Sequence, residues 1–216
     1  MKKIAVVLSG CGNKDGTEIQ ESVSLIISLS QLGARVRYFA PNTDFTPTNF
    51  ITNQKMKEQR NVMLESARIT RSQIEDITKL SANDFDGLAM PGGFGAALHL
   101  SNWAEHGANC SVNPHLEKAI TEFHVKSKPI AAICIAPTIV ARVLGKHHVT
   151  VTIGNDANTI KEITKTGALH ETCPVEDFVT DRDHKIITTP AYMYEAKPYQ
   201  VFKGISGLAK EFMEMA

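Results

Sequence analysis

Across 216 residues the chain sets 23 basic side chains against 23 acidic ones, so no basic field is available to gather nucleic acid or an anionic membrane surface. A small-molecule or protein partner is expected instead. The length suits one domain, residues 1–216, with a full hydrophobic core.

Strand-like and helix-like patterns alternate from the start, which argues for an α/β fold with a mostly parallel sheet covered on both faces. Ile4 to Leu8 is a continuous apolar strand, too short for a signal-peptide core or a spanning helix. Thr17 to Leu32 reads as a helix, with Ile19, Val23, Ile26 and Ile27 at helical spacing, and Leu25, Leu29 and Leu32 widening the apolar surface. Gly33 closes it, and Arg35 to Phe39 is the second strand, stopped by Pro41. Residues 41 to 57 are polar, with Pro41 and Pro47, and read as an inserted excursion or small hairpin.

Glu58 to Ile69 is predicted helical, and Ser81 to Asp84 is a turn or cap. Gly87 to Met90 is a strand that runs into Pro91-Gly92-Gly93. His115 to Lys126 forms an amphipathic helix, Ile130 to Cys134 a strand, and Pro137 to Leu144 a helix with proline in its first turn. Val149 to Ile153, Val175 to Thr180 and Lys185 to Thr189 are later strands, the last two joined by the turn Asp181-Arg182-Asp183-His184. Asn158 to Thr166 and Tyr199 to Met215 are the remaining helices. There is no internal repeat or linker.

The segment that carries chemistry is Pro129-Ile130-Ala131-Ala132-Ile133-Cys134-Ile135-Ala136-Pro137. A short apolar strand ends at a cysteine, and a helix begins at a proline three residues later. That is the pattern of a nucleophile elbow, which holds its reactive side chain on a tight strand-to-helix turn and needs small neighbours. The following helix would favour a thiolate at Cys134. A buried core cysteine is the competing reading.

In an open α/β sheet, functional groups collect in loops at the carboxyl ends of strands. Two more loops reach the same edge, residues 9–18 and 91–97. The first contains Gly10, Gly12 and Gly16 but misses the dinucleotide spacing, lacks an acidic residue after the second strand, and has no P-loop lysine. The second brings Gly92 and Gly93, whose backbone can come close to a ligand; the Gly93 amide and that of Ile135 would be oxyanion donors. Glu18 and Glu21 share one face of the first helix, and Glu21 is the candidate proton partner for Cys134. Cys11 reads as either a pocket residue or a packed thiol, and Pro190 and Ala191, with Tyr192, as either pocket wall or core. The four cysteines at 11, 110, 134 and 173 form no C-x-x-C pair and read as reduced thiols in a cytoplasmic protein. Neither a zinc ligand set nor H-E-x-x-H is present, so no metal is expected.

These residues resemble the ElbB-like family within the ThiJ/PfpI, class I glutamine-amidotransferase-like superfamily. The likeness runs end to end: Leu8-Ser9-Gly10-Cys11-Gly12, Asp15-Gly16-Thr17-Glu18-Ile19, Arg60-Asn61-Val62, Glu65-Ser66-Ala67-Arg68-Ile69, Pro91-Gly92-Gly93-Phe94-Gly95-Ala96-Ala97, Cys134-Ile135-Ala136-Pro137 and Thr188-Thr189-Pro190-Ala191-Tyr192-Met193. The resemblance implies a flavodoxin-like three-layer sandwich, a homodimer, and an elbow Cys134 paired with Glu21. It further implies a cofactor-free glyoxalase acting on a small reactive aldehyde, glyoxal or methylglyoxal. The alternative is a redox- or stress-responsive protein with Cys134 as oxidation sensor, and the family's name also suggests an isoprenoid link. The chain departs from the amidotransferase pattern at Thr152-Ile153-Gly154-Asn155, where some relatives carry a histidine, so a complete Cys-His-Glu triad is not expected. His170 is expected to be structural.

Overall fold

The computed structural model describes all residues, 1–216. In chain order the elements are β1 (Lys3–Val7), α1 (Ile19–Gln31), β2 (Arg35–Ala40), β3 (Asp44–Phe45), β4 (Arg60–Asn61), α2 (Val62–Ile69), β5 (Glu75–Asp76), β6 (Gly87–Met90), α3 (Phe94–Leu98) and α4 (Trp103–His106). They continue with α5 (Pro114–Val125), β7 (Ile130–Ile133), α6 (Pro137–Leu144), β8 (Thr150–Val151), α7 (Ala157–Lys165), β9 (Leu169–His170), β10 (Val179–Asp181), β11 (Ile186–Thr189) and α8 (Pro198–Met215).

Seven strands form the central sheet in the order β10-β11-β7-β6-β1-β2-β5. All neighbours are parallel except the antiparallel edge pair β10–β11. Alternation along the strands divides the core. Ala5, Val7, Leu88, Met90, Ile130 and Ala132 meet α3, α5, α6 and α7 on one face. Ile4, Val6, Ala89, Ala131 and Ile133 meet α1 and α8 on the other. The result is the expected flavodoxin-like sandwich, with helices on both faces because both faces of a parallel sheet are apolar.

Several local expectations change. The polar excursion is a two-stranded hairpin that extends past residue 57: Asp44 and Phe45 pair antiparallel with Asn61 and Arg60. The following helix therefore starts at Val62 and not at Glu58, because the Asn61 side chain accepts the amides of Met63 and Leu64 and caps it. Residues 149–153 contribute only β8, which pairs with β9 in a separate two-stranded sheet. The strand expected from Val175 begins at Val179, since Asp177 N donates to Pro174 O and closes a turn first.

Helix α1 also turns a different face inward. Ile19, Val23 and Ile27 are 45, 40 and 44 % exposed, whereas Glu21, Ser22, Ser24, Leu25, Ser28 and Leu29 are buried. Small serines let α1 lie close to α8, with Ser28 Oγ 3.1 Å from Ser206 Oγ.

Candidate active site

Cys134 follows the last residue of β7 with φ at +63°, a left-handed conformation that an L-residue holds only where the surroundings enforce it. Its amide donates to Thr189 O at 2.9 Å, and the Ala136 amide returns to Ile133 O at 3.0 Å, so neighbouring strand and turn fix the elbow from both sides. The side chain is 7 % exposed.

Glu21 is completely buried in α1, and its carboxyl and the Cys134 side chain both crowd the place of the missing Gly92 Cβ. Its carboxyl is anchored twice by backbone: Gly92 N donates to Oε2 at 3.0 Å and Tyr192 N to Oε1 at 3.2 Å. Burial is the main reason its pKa rises to about 8; the Glu18 carboxylate adds to the rise, and the Tyr192 amide, the Cys134 thiol and the Gly92 amide oppose it. The carboxyl is therefore mostly protonated at neutral pH.

The thiol state differs from the sequence expectation. Burial and the Glu21 carboxylate push the Cys134 pKa well above its ordinary value, and the nearby amides of Gly93 and Ile135 only partly offset them. The resting group is a thiol, because desolvation outweighs the helix end and two amides.

Gly92 and Gly93 act through close approach. A Cβ on Gly92 would collide with Cys134 Cβ and stand 2.7 Å from Glu21 Oε2. Gly93, at φ +93°, leaves no room for a Cβ beside Gly16 O and Glu18 N. Gly92 O also accepts from Glu18 N at 2.9 Å, which ties the middle loop to the start of α1. Glu18 caps that helix, its Oε2 accepting from Glu21 N at 2.6 Å, and burial raises its pKa.

A cavity of about 1040 Å³ opens over Cys134, while Glu21, fully buried, is not among its lining residues. Cys134, Ile135, Gly93 and Glu18 line it. Gly92, Pro190 and Ala191, expected at the substrate, are not among its lining residues; they stand behind it. Ala191, buried at φ +44°, aims the neighbouring Tyr192 amide at Glu21, and Tyr192 itself lines the cavity. Cys11 lines a different cavity, of about 300 Å³, with Phe45, Phe50 and Arg60 beneath the β3–β4 hairpin. The hairpin register that makes this second cavity was not readable from the loop's composition.

The glycine loop has no free anion cradle. The amides of Gly10, Gly12 and Gly16 already donate to Ser66 Oγ, Thr17 O and Gly12 O. His170 Nε2 accepts from Ile153 N at 3.2 Å, so the ring braces the β8–β9 region, and it is not among the cavity's lining residues. Gly154, in the stretch where a triad histidine would sit, lies at φ +85° with the Tyr194 ring 2.8 Å from the place of its missing Cβ. Sequence reasoning missed the Tyr192 amide, Asn13, Trp103, Glu105, His106 and Glu162 at the cavity. The long-range fold brings these together from separate loops, and only the Pro190-Ala191-Tyr192 run after a strand was a local signal.

Comparison to known proteins identifies the family. A profile described as DJ-1/PfpI family matches residues 2–191. The chain belongs to the DJ-1/PfpI family. It is 40 % identical to the human "Glutamine amidotransferase-like class 1 domain-containing protein 3, mitochondrial", over 99 % of this chain and 83 % of that protein. It is 39 % identical to the "ES1 protein homolog, mitochondrial" of Rattus norvegicus, over 99 % and 84 % of the two chains. Among solved structures, an "isoprenoid biosynthesis protein with amidotransferase-like domain" from Ehrlichia chaffeensis superposes with a TM-score of 0.93 at 34 % identity, covering 100 % of this chain and 99 % of that one. These names correct one expectation. The human, rat and zebrafish relatives are all named mitochondrial, so the assignment to the cytoplasm, which rested on reduced cysteines and a short first apolar run, does not stand.

Proposed function

We propose that this DJ-1/PfpI protein is a cofactor-independent glyoxalase, within the ElbB-like group, that converts glyoxal or methylglyoxal to the hydroxy acid. The observation that carries this reading is a sulfur held on a strained turn beside a wholly buried carboxyl of raised pKa. Groups poised near working pH are what proton transfer between two carbons requires.

In the fraction with Glu21 ionised, its carboxylate takes the thiol proton as the sulfur bonds to the aldehyde carbon. The carbonyl π pair moves to oxygen, which faces the Gly93 and Ile135 amides and is then protonated. Glu21, again a carboxylate, removes the proton from the sulfur-bearing carbon to give an ene-diol and returns it to the neighbouring carbon. The product is a thioester, and water cleaves it to the hydroxy acid and the free thiol. One water is consumed and no electrons leave the substrate, so the reaction needs no oxidant.

Proton NMR of methylglyoxal incubated without glutathione tests this. Wild type should form lactate, and Cys134→Ser and Glu21→Gln should not; a Cys134→Ser protein with full turnover would exclude the scheme.

The sensor reading has less support, because rapid oxidation needs an exposed thiolate and Cys134 is a buried thiol. For assembly we propose a homodimer, supported by the exposed stripe Ile19, Val23 and Ile27 along α1. No helix is long and apolar enough to cross a membrane.

A further inference from the structure

Glu21 has no contact of its own with solvent. It is fully buried, and both carboxyl oxygens are held by backbone, Oε2 by Gly92 N and Oε1 by Tyr192 N. Glu18, one turn earlier, does line the cavity. A closed ring of hydrogen bonds joins the two glutamates to the middle loop. Glu18 Oε2 accepts from Glu21 N at 2.6 Å, Gly92 N donates to Glu21 Oε2 at 3.0 Å, and Glu18 N donates to Gly92 O at 2.9 Å. The carboxyl beside Cys134 is therefore held at its backbone by Glu18, and at its oxygen by the loop that Glu18 also binds.

Capping alone does not call for a glutamate. Ser, Thr, Asp and Asn are the preferred N-cap residues, since a short side chain already reaches the amides of the first turn. Glu18 brings a charge to that place. Burial lifts its pKa, but the positive end of α1 and the amides of Glu21, Gln20 and Ile19 favour its ionised form. Glu21 is wholly buried, where a charge is disfavoured, and the Glu18 carboxylate disfavours it further. Environments that push two carboxyls apart assign one as the charged partner and the other as the proton holder. The other titratable groups facing Glu21 are Cys134 on the elbow and Tyr192 after β11. The cavity wall adds Glu105, His106 and Glu162, and no lysine or arginine lines it to neutralise Glu18.

We infer that Glu18 is the positioning residue of this site: it seats Glu21 through the first turn of α1 and supplies the negative charge that keeps the proton on the Glu21 carboxyl at rest. The inference rests on the Cys134–Glu21 reading for its bearing on turnover, but the charge effect can be measured with no substrate.

Carbon NMR of protein labelled at the glutamate carboxyls reads the titration midpoint of Glu21 directly, its signal identified by its loss in Glu21→Gln. Glu18→Gln keeps an oxygen for the Glu21 amide and removes the charge. The midpoint should fall by roughly half a pH unit or more, which gives about threefold more base form at pH 6. Glu18→Ser, a good N-cap without charge, should shift it likewise and serves if Glu18→Gln does not fold. Glu18→Asp, which caps and keeps the charge, should restore the wild-type midpoint. A midpoint unchanged when the charge is lost, or one that falls equally in Glu18→Asp, overturns the inference. The second arm is the pH profile of kcat/KM for methylglyoxal, whose rising limb should move to lower pH in Glu18→Gln by the same interval. Turnover by wild type with no change of midpoint on losing the charge sinks the inference alone. A lowered midpoint with no turnover by wild type upholds the positioning role and sinks the glyoxalase reading instead.

Discussion

Gly92 N lies 3.0 Å from Glu21 Oε2, and the same glycine has no space for a methyl group between that oxygen and the Cys134 side chain. One residue thus holds the carboxyl and permits the sulfur to reach it. Gly92→Ala is expected to separate the pair and abolish aldehyde turnover, and overpacking should cost about 1–3 kcal/mol. Activity together with thermal unfolding checks this; a folded variant with normal turnover would show that the close approach is dispensable.

The raised pKa of Glu21 has a defined sign for stability. Folded Glu21 keeps its proton up to about 8, while the unfolded carboxyl loses it near 4.5. Between those values the unfolded state binds fewer protons, so stability falls as pH rises, by at most about 1.4 kcal/mol per pH unit. Below 4.5 the contribution is fully present, and above about 8 it is gone. Glu21→Gln should flatten that part of the profile, as read by denaturant titrations at pH 5, 6.5 and 8.

The same ionisation governs catalysis in the opposite direction. The base form of Glu21 accumulates as pH approaches about 8, so kcat/KM for methylglyoxal should climb through neutrality and level off above it. A profile flat from pH 6 to 9 would mean that another group moves the proton.

Thiol accessibility separates two cysteines. Cys11 is half-buried, whereas Cys134 is 7 % exposed with its pKa raised further above normal. Iodoacetamide at neutral pH should label Cys11 first, as resolved by peptide mass mapping, and raising the pH should accelerate labelling at both. Faster reaction at Cys134 would indicate a thiolate in solution and revive the sensor reading.

The apolar stripe on α1 can be tested without touching the core. Ile27→Asp alters a side chain that is 44 % exposed, so it should change monomer stability by no more than about 0.5 kcal/mol and weaken self-association. Sedimentation velocity of both proteins distinguishes these effects; an unchanged assembly, or a monomeric wild type, removes α1 as the contact.

Where a signal was local, the sequence was enough. Gly87–Met90 and Pro137–Leu144 form just where an apolar run meets glycine or a helix opens on proline, and Ala132, Cys134 and Ala136 read as an elbow because the turn itself demands small neighbours. Folding decided what depends on distant partners. Helical spacing in α1 could mark Ile19, Val23 and Ile27 as apolar, yet the fold buries Ser22, Ser24, Ser28 and Glu21 instead, Ser28 against α8 and Glu21 against the Gly92 and Tyr192 amides. Cys11 moved to a second cavity because the β3–β4 hairpin closes over its loop. Cys134 became a thiol because burial, a property of the whole fold, outweighs two amides supplied by its own turn and the neighbouring loop. Backbone preference is written in adjacent residues, whereas desolvation and the facing of a helix are set by atoms brought together from across the chain.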